Sequence, residues 1–145
     1  MNIRTIAITV SAPRDTVFNF LADIENLPKW ATEFCERIEL RRGRWWALTA
    51  QGELIIDCET SVGTGVIDLR AGPSPDQLSL FPIRVLPLGL RQALVSFTFL
   101  QPAGLPDELY EKQYQSLLVE MQGLIRRFGG GEIHASPHLT AQGLN

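Results

Sequence analysis

One long amphipathic segment near the C-terminal end constrains this chain more than any other feature. Tyr110, Tyr114, Leu117, Leu118, Met121, Leu124, Ile125 and Phe128 recur at spacings of three and four. That spacing lays one wide apolar stripe along a helix. Pro106, Asp107 and Glu108 suit a helix start, where a missing N–H costs nothing and acidic charge meets the positive end of the dipole. Arg126 and Arg127 followed by Gly129 suit its end. At about 1.5 Å per residue, a helix over 107–128 spans about 33 Å, enough to cross a small domain. Whatever precedes it must cover that stripe.

What precedes it reads as strands. Ile6, Ile8 and Val10 alternate through residues 3–10. Ser11-Ala12-Pro13 then opens a short helix with Val17, Phe18 and Leu21 on one face, and Asp23 can cap a second, brief one that ends near Trp30. Alternation resumes at 37–41, 44–50, 53–60, 66–70, 77–86 and 92–99, with turn residues between the runs. Pro82 interrupts its run, which points to an edge strand or a bulge. Strands that follow one another without helices argue an antiparallel meander. The expected fold is therefore α+β. A seven-stranded curved antiparallel sheet wraps the long C-terminal helix, with two short helices after the first strand. One domain covers 1–128, and 129–145 forms a Gly-rich linker and a flexible polar tail.

Composition excludes several function classes. The chain has 145 residues, the size of one domain. Thirteen Lys and Arg against sixteen Asp and Glu give a net charge of −3, which argues against nucleic acid as a partner. No apolar run reaches the ~18 residues of a membrane span. Two cysteines, Cys35 and Cys58, are too few for a disulfide framework and imply free thiols in the cytoplasm. The two histidines, His134 and His138, both lie in the tail. Pro137 between them argues against a helical metal pair, so no metal and no cofactor are expected.

Several motifs carry a resemblance. The opening ITVSAPRDTVFNFLADIENLPKWATEF, with Ala12-Pro13, Val17-Phe18, the Asn26-Leu27-Pro28 turn and Trp30, resembles the START and birch-pollen-allergen-like superfamily, also called SRPBCC. Leu27 to Thr32, Gly65 to Asp68 and Pro82 to Gly89 are similar to its bacterial polyketide cyclase/dehydrase-like branch. Where that branch carries Asp-His after the Gly-Val turn, this chain has Asp68-Leu69. The resemblance covers about 3–128 and implies the helix-grip fold, with a ligand cavity between helix and sheet. Members carry lipids, hormones and quinones, cyclise polyketides or serve as oxygenase subunits, so the fold implies a pocket and no one reaction.

Such a pocket is concave and mostly apolar, with a few polar groups fixing orientation. Its expected lining is Ile56, Cys58, Val95, Phe97 and Phe99 on strands, with Tyr114, Leu117, Leu118 and Met121 on the helix. Trp30, Phe34 and Trp46 are expected at the mouth. Asp68 and Arg84 fall near one another on adjacent strands. If both face inward, Arg84 anchors a ligand carboxylate or enolate and Asp68 orients it. They are also the candidate catalytic pair; the competing reading is a surface ion pair of little energetic value. Two functions stay open. One is a carrier or sensor of a small hydrophobic molecule, aromatic or polycyclic. The other is a polyketide cyclase, aromatase or dehydratase acting on such a molecule.

Overall fold

A computed structural model describes residues 1–135 of the chain. Strand β1, Ile3–Val10, is followed by helix α1, Arg14–Ala22, a 3-10 turn at Ile24–Asn26 and the short helix α2, Leu27–Trp30. Six strands come next: β2 Cys35–Arg41, β3 Arg44–Thr49, β4 Gly52–Ser61, β5 Val66–Gly72, β6 Ser79–Leu88 and β7 Gln92–Leu100. Helix α3 spans Asp107–Phe128, and β8, Ile133–Ala135, ends the described chain. The strands form one antiparallel sheet in the order β2-β3-β4-β5-β6-β7-β1-β8.

Register defines the two faces, because residues directly opposite in a ladder point the same way. Ile67, Ile83, Phe97 and Ile6 stand opposite one another across β5, β6, β7 and β1. All four are fully buried, which marks the concave face. Helix α3 lies against it. The Tyr110 hydroxyl donates to the Phe99 carbonyl at 2.6 Å, and the two rings stack with centroids 4.6 Å apart. Gly129 closes the helix in the left-handed region, its N–H bonded to Ile125 O at 3.1 Å.

Two expectations need correction. The sheet has eight strands, not seven, because Ile133–Ala135 pairs with Ile8, Ala7 and Ile6 of β1. So part of the expected tail is a strand. Glu132 N–H reaches Thr9 Oγ1 at 2.9 Å, and Thr9 N–H reaches the Glu132 carbonyl at 2.9 Å. Gly131 makes this docking possible: its φ is +149°, and a Cβ there would collide with the Thr9 carbonyl. A three-residue strand held by contacts distant in sequence leaves no periodic signal. Pro82, in turn, lies in an inner strand, β6, opposite Asp68 of β5 and just before the first β6–β7 pair, Ile83 with Phe97. Without an N–H to offer, Pro82 stands where the β6–β7 ladder begins.

Candidate functional site

Most of the expected lining falls on the concave face. Of the expected lining, Ile56, Val95, Phe97, Tyr114, Leu117 and Met121 are buried in the common core. Cys58, Phe99, Leu118 and Phe34 are half-buried and pack against that core. Trp30 is deeper than a mouth residue, at 4% exposure, with its ring 5.9 Å from that of Phe97. Phe81, absent from the expected set, joins Phe97 at 6.0 Å and Phe99 at 6.5 Å. Trp30, Phe97, Phe81, Phe99 and Tyr110 thus form a continuous run of aromatic contacts.

Three expected site residues lie on the other face. Trp46 stands opposite Ile55 and Glu39, while its neighbour Trp45 stands opposite Ile56 on the concave side. Trp45 is therefore the β3 tryptophan on the concave side, and Trp46 belongs to the convex surface beneath Arg41. Arg84 lies opposite Ser96 and Val66, and Asp68 opposite Pro82 and Glu59. Ile83 and Val85, on either side of Arg84, are buried in the core, so strand alternation turns Arg84 outward. The two charged groups do meet: Arg84 Nη1 donates to Asp68 Oδ1 at 2.8 Å. With the Arg84 side chain 41% exposed, this is a convex-face ion pair. Arg84→Ala is expected to cost under ~1 kcal/mol in urea denaturation and to leave ligand affinity unchanged. A large loss of affinity with an unchanged denaturation midpoint would return Arg84 to the site.

The charged group that does face inward is Arg4. It stands opposite Phe99 in the concave row that continues across Leu69 and Cys58. Its guanidinium contacts Glu111 of α3 at 2.6 Å and sits 4.2 Å from the centre of the Tyr114 ring. A cation over an aromatic face is attracted by the ring quadrupole. The alternation Arg4, Ile6, Ile8, Val10 carried this signal. Glu120 is the second buried charged side chain, 5% exposed. Its Oε2 accepts the backbone N–H groups of Glu33 and Phe34, each at 3.0 Å, and so ties α3 to the segment between α2 and β2.

Burial controls the acid–base chemistry here. It pushes the Cys58 thiol up to about 11, with Asp57 and Asp68 adding to the effect. Cys35 is pushed up to about 11 by burial and by Glu120. Both thiols are therefore protonated near neutral pH and poor nucleophiles. Tyr110 and Tyr114 are raised by burial, partly offset by Arg4. Burial lifts Glu120 to about 7 against the two backbone N–H bonds that favour its charge. Among the described residues, no group of His, Cys, Asp and Glu could hold a metal ion. His134 is paired with Glu132 at 3.0 Å, and His138 lies outside the described residues.

Comparison with solved structures supports the same fold. A START superfamily protein from Mycobacterium smegmatis superposes with a TM-score of 0.60 at 13% identity, covering 87% of this chain and 99% of that one. The chain has the START-like helix-grip fold. The protein XoxI from Bacillus cereus superposes on it with a TM-score of 0.69 at 16% identity, covering 88% of this chain and 96% of the other. The Zhui aromatase/cyclase from Streptomyces sp. R1128 gives 0.60 at 17% identity, with 86% and 90% covered. No protein-family model and no curated protein sequence matches the chain. Among the described residues, no helix is long and apolar enough to cross a membrane.

Proposed function

We propose that this chain binds a small hydrophobic molecule, aromatic or polycyclic, between α3 and the concave face, as a carrier or sensor. One observation carries the reading. Trp45, Cys58, Phe81, Phe99 and Leu118 are apolar, belong to the concave side, and stay half-buried where they adjoin the closed core. A half-wet apolar rim that continues into an aromatic interior suits a ligand with an apolar body. Naming one similar structure an aromatase/cyclase supports the ligand class. Two unpaired cysteines support a cytoplasmic setting.

The enzyme reading is weaker. A cyclase or dehydratase needs a proton-moving group against the ligand. The polar groups on this side are already engaged: Arg4 with Glu111, and the Tyr110 hydroxyl with the Phe99 carbonyl.

The test is a titration with the neutral fluorescent probe N-phenyl-1-naphthylamine. Saturable enhancement is expected from the full chain. Cys58→Trp puts a large ring into the rim, where it competes with the ligand for space, and at least about tenfold weaker binding (~1.4 kcal/mol) is expected. Its thermal midpoint is expected within a few degrees of the parent, since Cys58 is only half-buried. Trp46→Ala, on the convex face, should bind like the parent. Absence of saturable binding, or an unchanged affinity in Cys58→Trp, would sink the reading.

A further inference from the structure

A depression of about 500 Å³ opens between α2 and the second half of α3, with no strand residue in its walls. It lies between two helices, outside the concave face of the sheet, although Trp30 borders both it and the aromatic run. Three cations line it: Lys29, Arg126 and Arg127. None of them has an acidic partner within ion-pair distance among the described residues. Arg127 is held instead over the Phe20 ring, 4.6 Å from its centre. Like charges gathered around one hollow repel one another, and a bound anion would relieve that.

Two further features belong to the same hollow. Trp30 lines it, the residue is 4% exposed, and its indole Nε1 is a buried donor with no acceptor. Buried indole N–H groups ordinarily find a partner, because leaving one unpaired forfeits its hydration. Gly123 also lines it, in the interior of α3. A Cβ at that position would meet only Arg126 Nη2, at 3.9 Å. Alanine would fit and would favour the helix by roughly 0.8–1 kcal/mol. Glu120 is in the wall, but its Oε2 is turned to the backbone N–H groups of Glu33 and Phe34. Burial leaves this carboxyl only partly ionised near neutral pH.

We propose that this depression binds a phosphate oxyanion, with Lys29, Arg126 and Arg127 supplying the charge and Trp30 reporting on it from the wall. The Thr32 hydroxyl, also in the lining, adds a neutral donor. Such an acceptor-only group could be free in solution or the headgroup of an anionic lipid.

The experiment is a titration of the full chain with inorganic phosphate at constant ionic strength, followed by indole N–H resonances in NMR. The three tryptophans make the control internal, since Trp45 and Trp46 lie on β3, away from the hollow. Saturable movement of the Trp30 resonance alone is expected, its assignment fixed with Trp30→Phe. A Lys29→Gln/Arg126→Gln double variant should weaken binding at least about tenfold, having lost two charged donors. Vesicles of phosphatidylcholine with phosphatidic acid separate the sources. Co-sedimentation displaced by inorganic phosphate identifies a lipid headgroup; saturation by phosphate without co-sedimentation identifies a soluble phosphate compound. No saturable movement, equal movement of all three indoles, or unchanged affinity in the double variant overturns the proposal.

Discussion

Phe97→Ala is expected to lower the unfolding free energy by ~3–5 kcal/mol, the range for truncating a fully buried aromatic. Phe97 has no exposed surface. Its ladder partners are Ile6 and Ile83, and its ring lies 5.9 Å from Trp30 and 6.0 Å from Phe81. Removing it unsupports α2, β6 and the row beneath α3 together. The surrounding residues belong to a sheet paired on both sides, so the hollow collapses only partly. It would also sit within the aromatic run that the proposed ligand adjoins. Benzene is therefore expected to raise the variant's thermal midpoint by more than the parent's, because a dry apolar cavity accepts such a guest. Urea denaturation measures the first effect and a thermal melt with and without benzene the second. A loss below ~1 kcal/mol would mean that the concave face is not the core of the fold.

Local periodicity carried the architecture, and it failed where a contact needed two distant segments. Ile6, Ile8 and Val10 alternate cleanly, and so do Val95, Phe97 and Phe99, so the buried face of β1 and β7 was readable before their pairing was known. Trp45 and Trp46 point to opposite faces by the same rule, but alternation alone does not say which is inside. Only the register of β3 against Ile56 and Ile55 decides it. Asp68 and Arg84 were rightly brought together, since the loop between their strands fixes the register. Of the two faces open to the pair, the buried neighbours Ile83 and Val85 select the outer one, the surface ion pair. Arg4 was overlooked at the chain's start, although it continues the alternation of Ile6 and Ile8 toward the concave face. Glu120 was overlooked for another reason. It falls three residues after Leu117 and four before Leu124, on the buried stripe of α3, where a charged residue reads as an interruption. Its partners are backbone N–H groups 86 and 87 positions away, which no local pattern announces.

That same Glu120 should make stability fall as pH rises. Its carboxyl is lifted from 4.5 to about 7, first by burial and then by the nearby Glu33, against the two backbone N–H bonds that favour the charge. Lys29, Arg126 and Arg127 share its depression but form no ion pair with it, and the Cys35 thiol beside it is neutral. Between these two values the folded chain holds a proton that the unfolded chain has released. Stability from this group is thus complete below about pH 4.5 and lost as pH rises through about 7. The whole span is worth roughly 3 kcal/mol. Glu120→Gln keeps an oxygen for the Glu33 and Phe34 N–H groups and carries no charge to bury. The variant is expected to match the parent near pH 5 and to exceed it at pH 8 by about 1–3 kcal/mol, the cost of holding a buried carboxylate. Glu120→Ala should be less stable than the parent at both pH values, because it strands the two N–H groups. Urea denaturation of the three proteins at pH 5 and pH 8 provides the comparison. Parallel changes in parent and Glu120→Gln across that range would mean that Glu120 is ionised throughout and that its charge, not its burial, governs the link between α3 and the segment leading into β2.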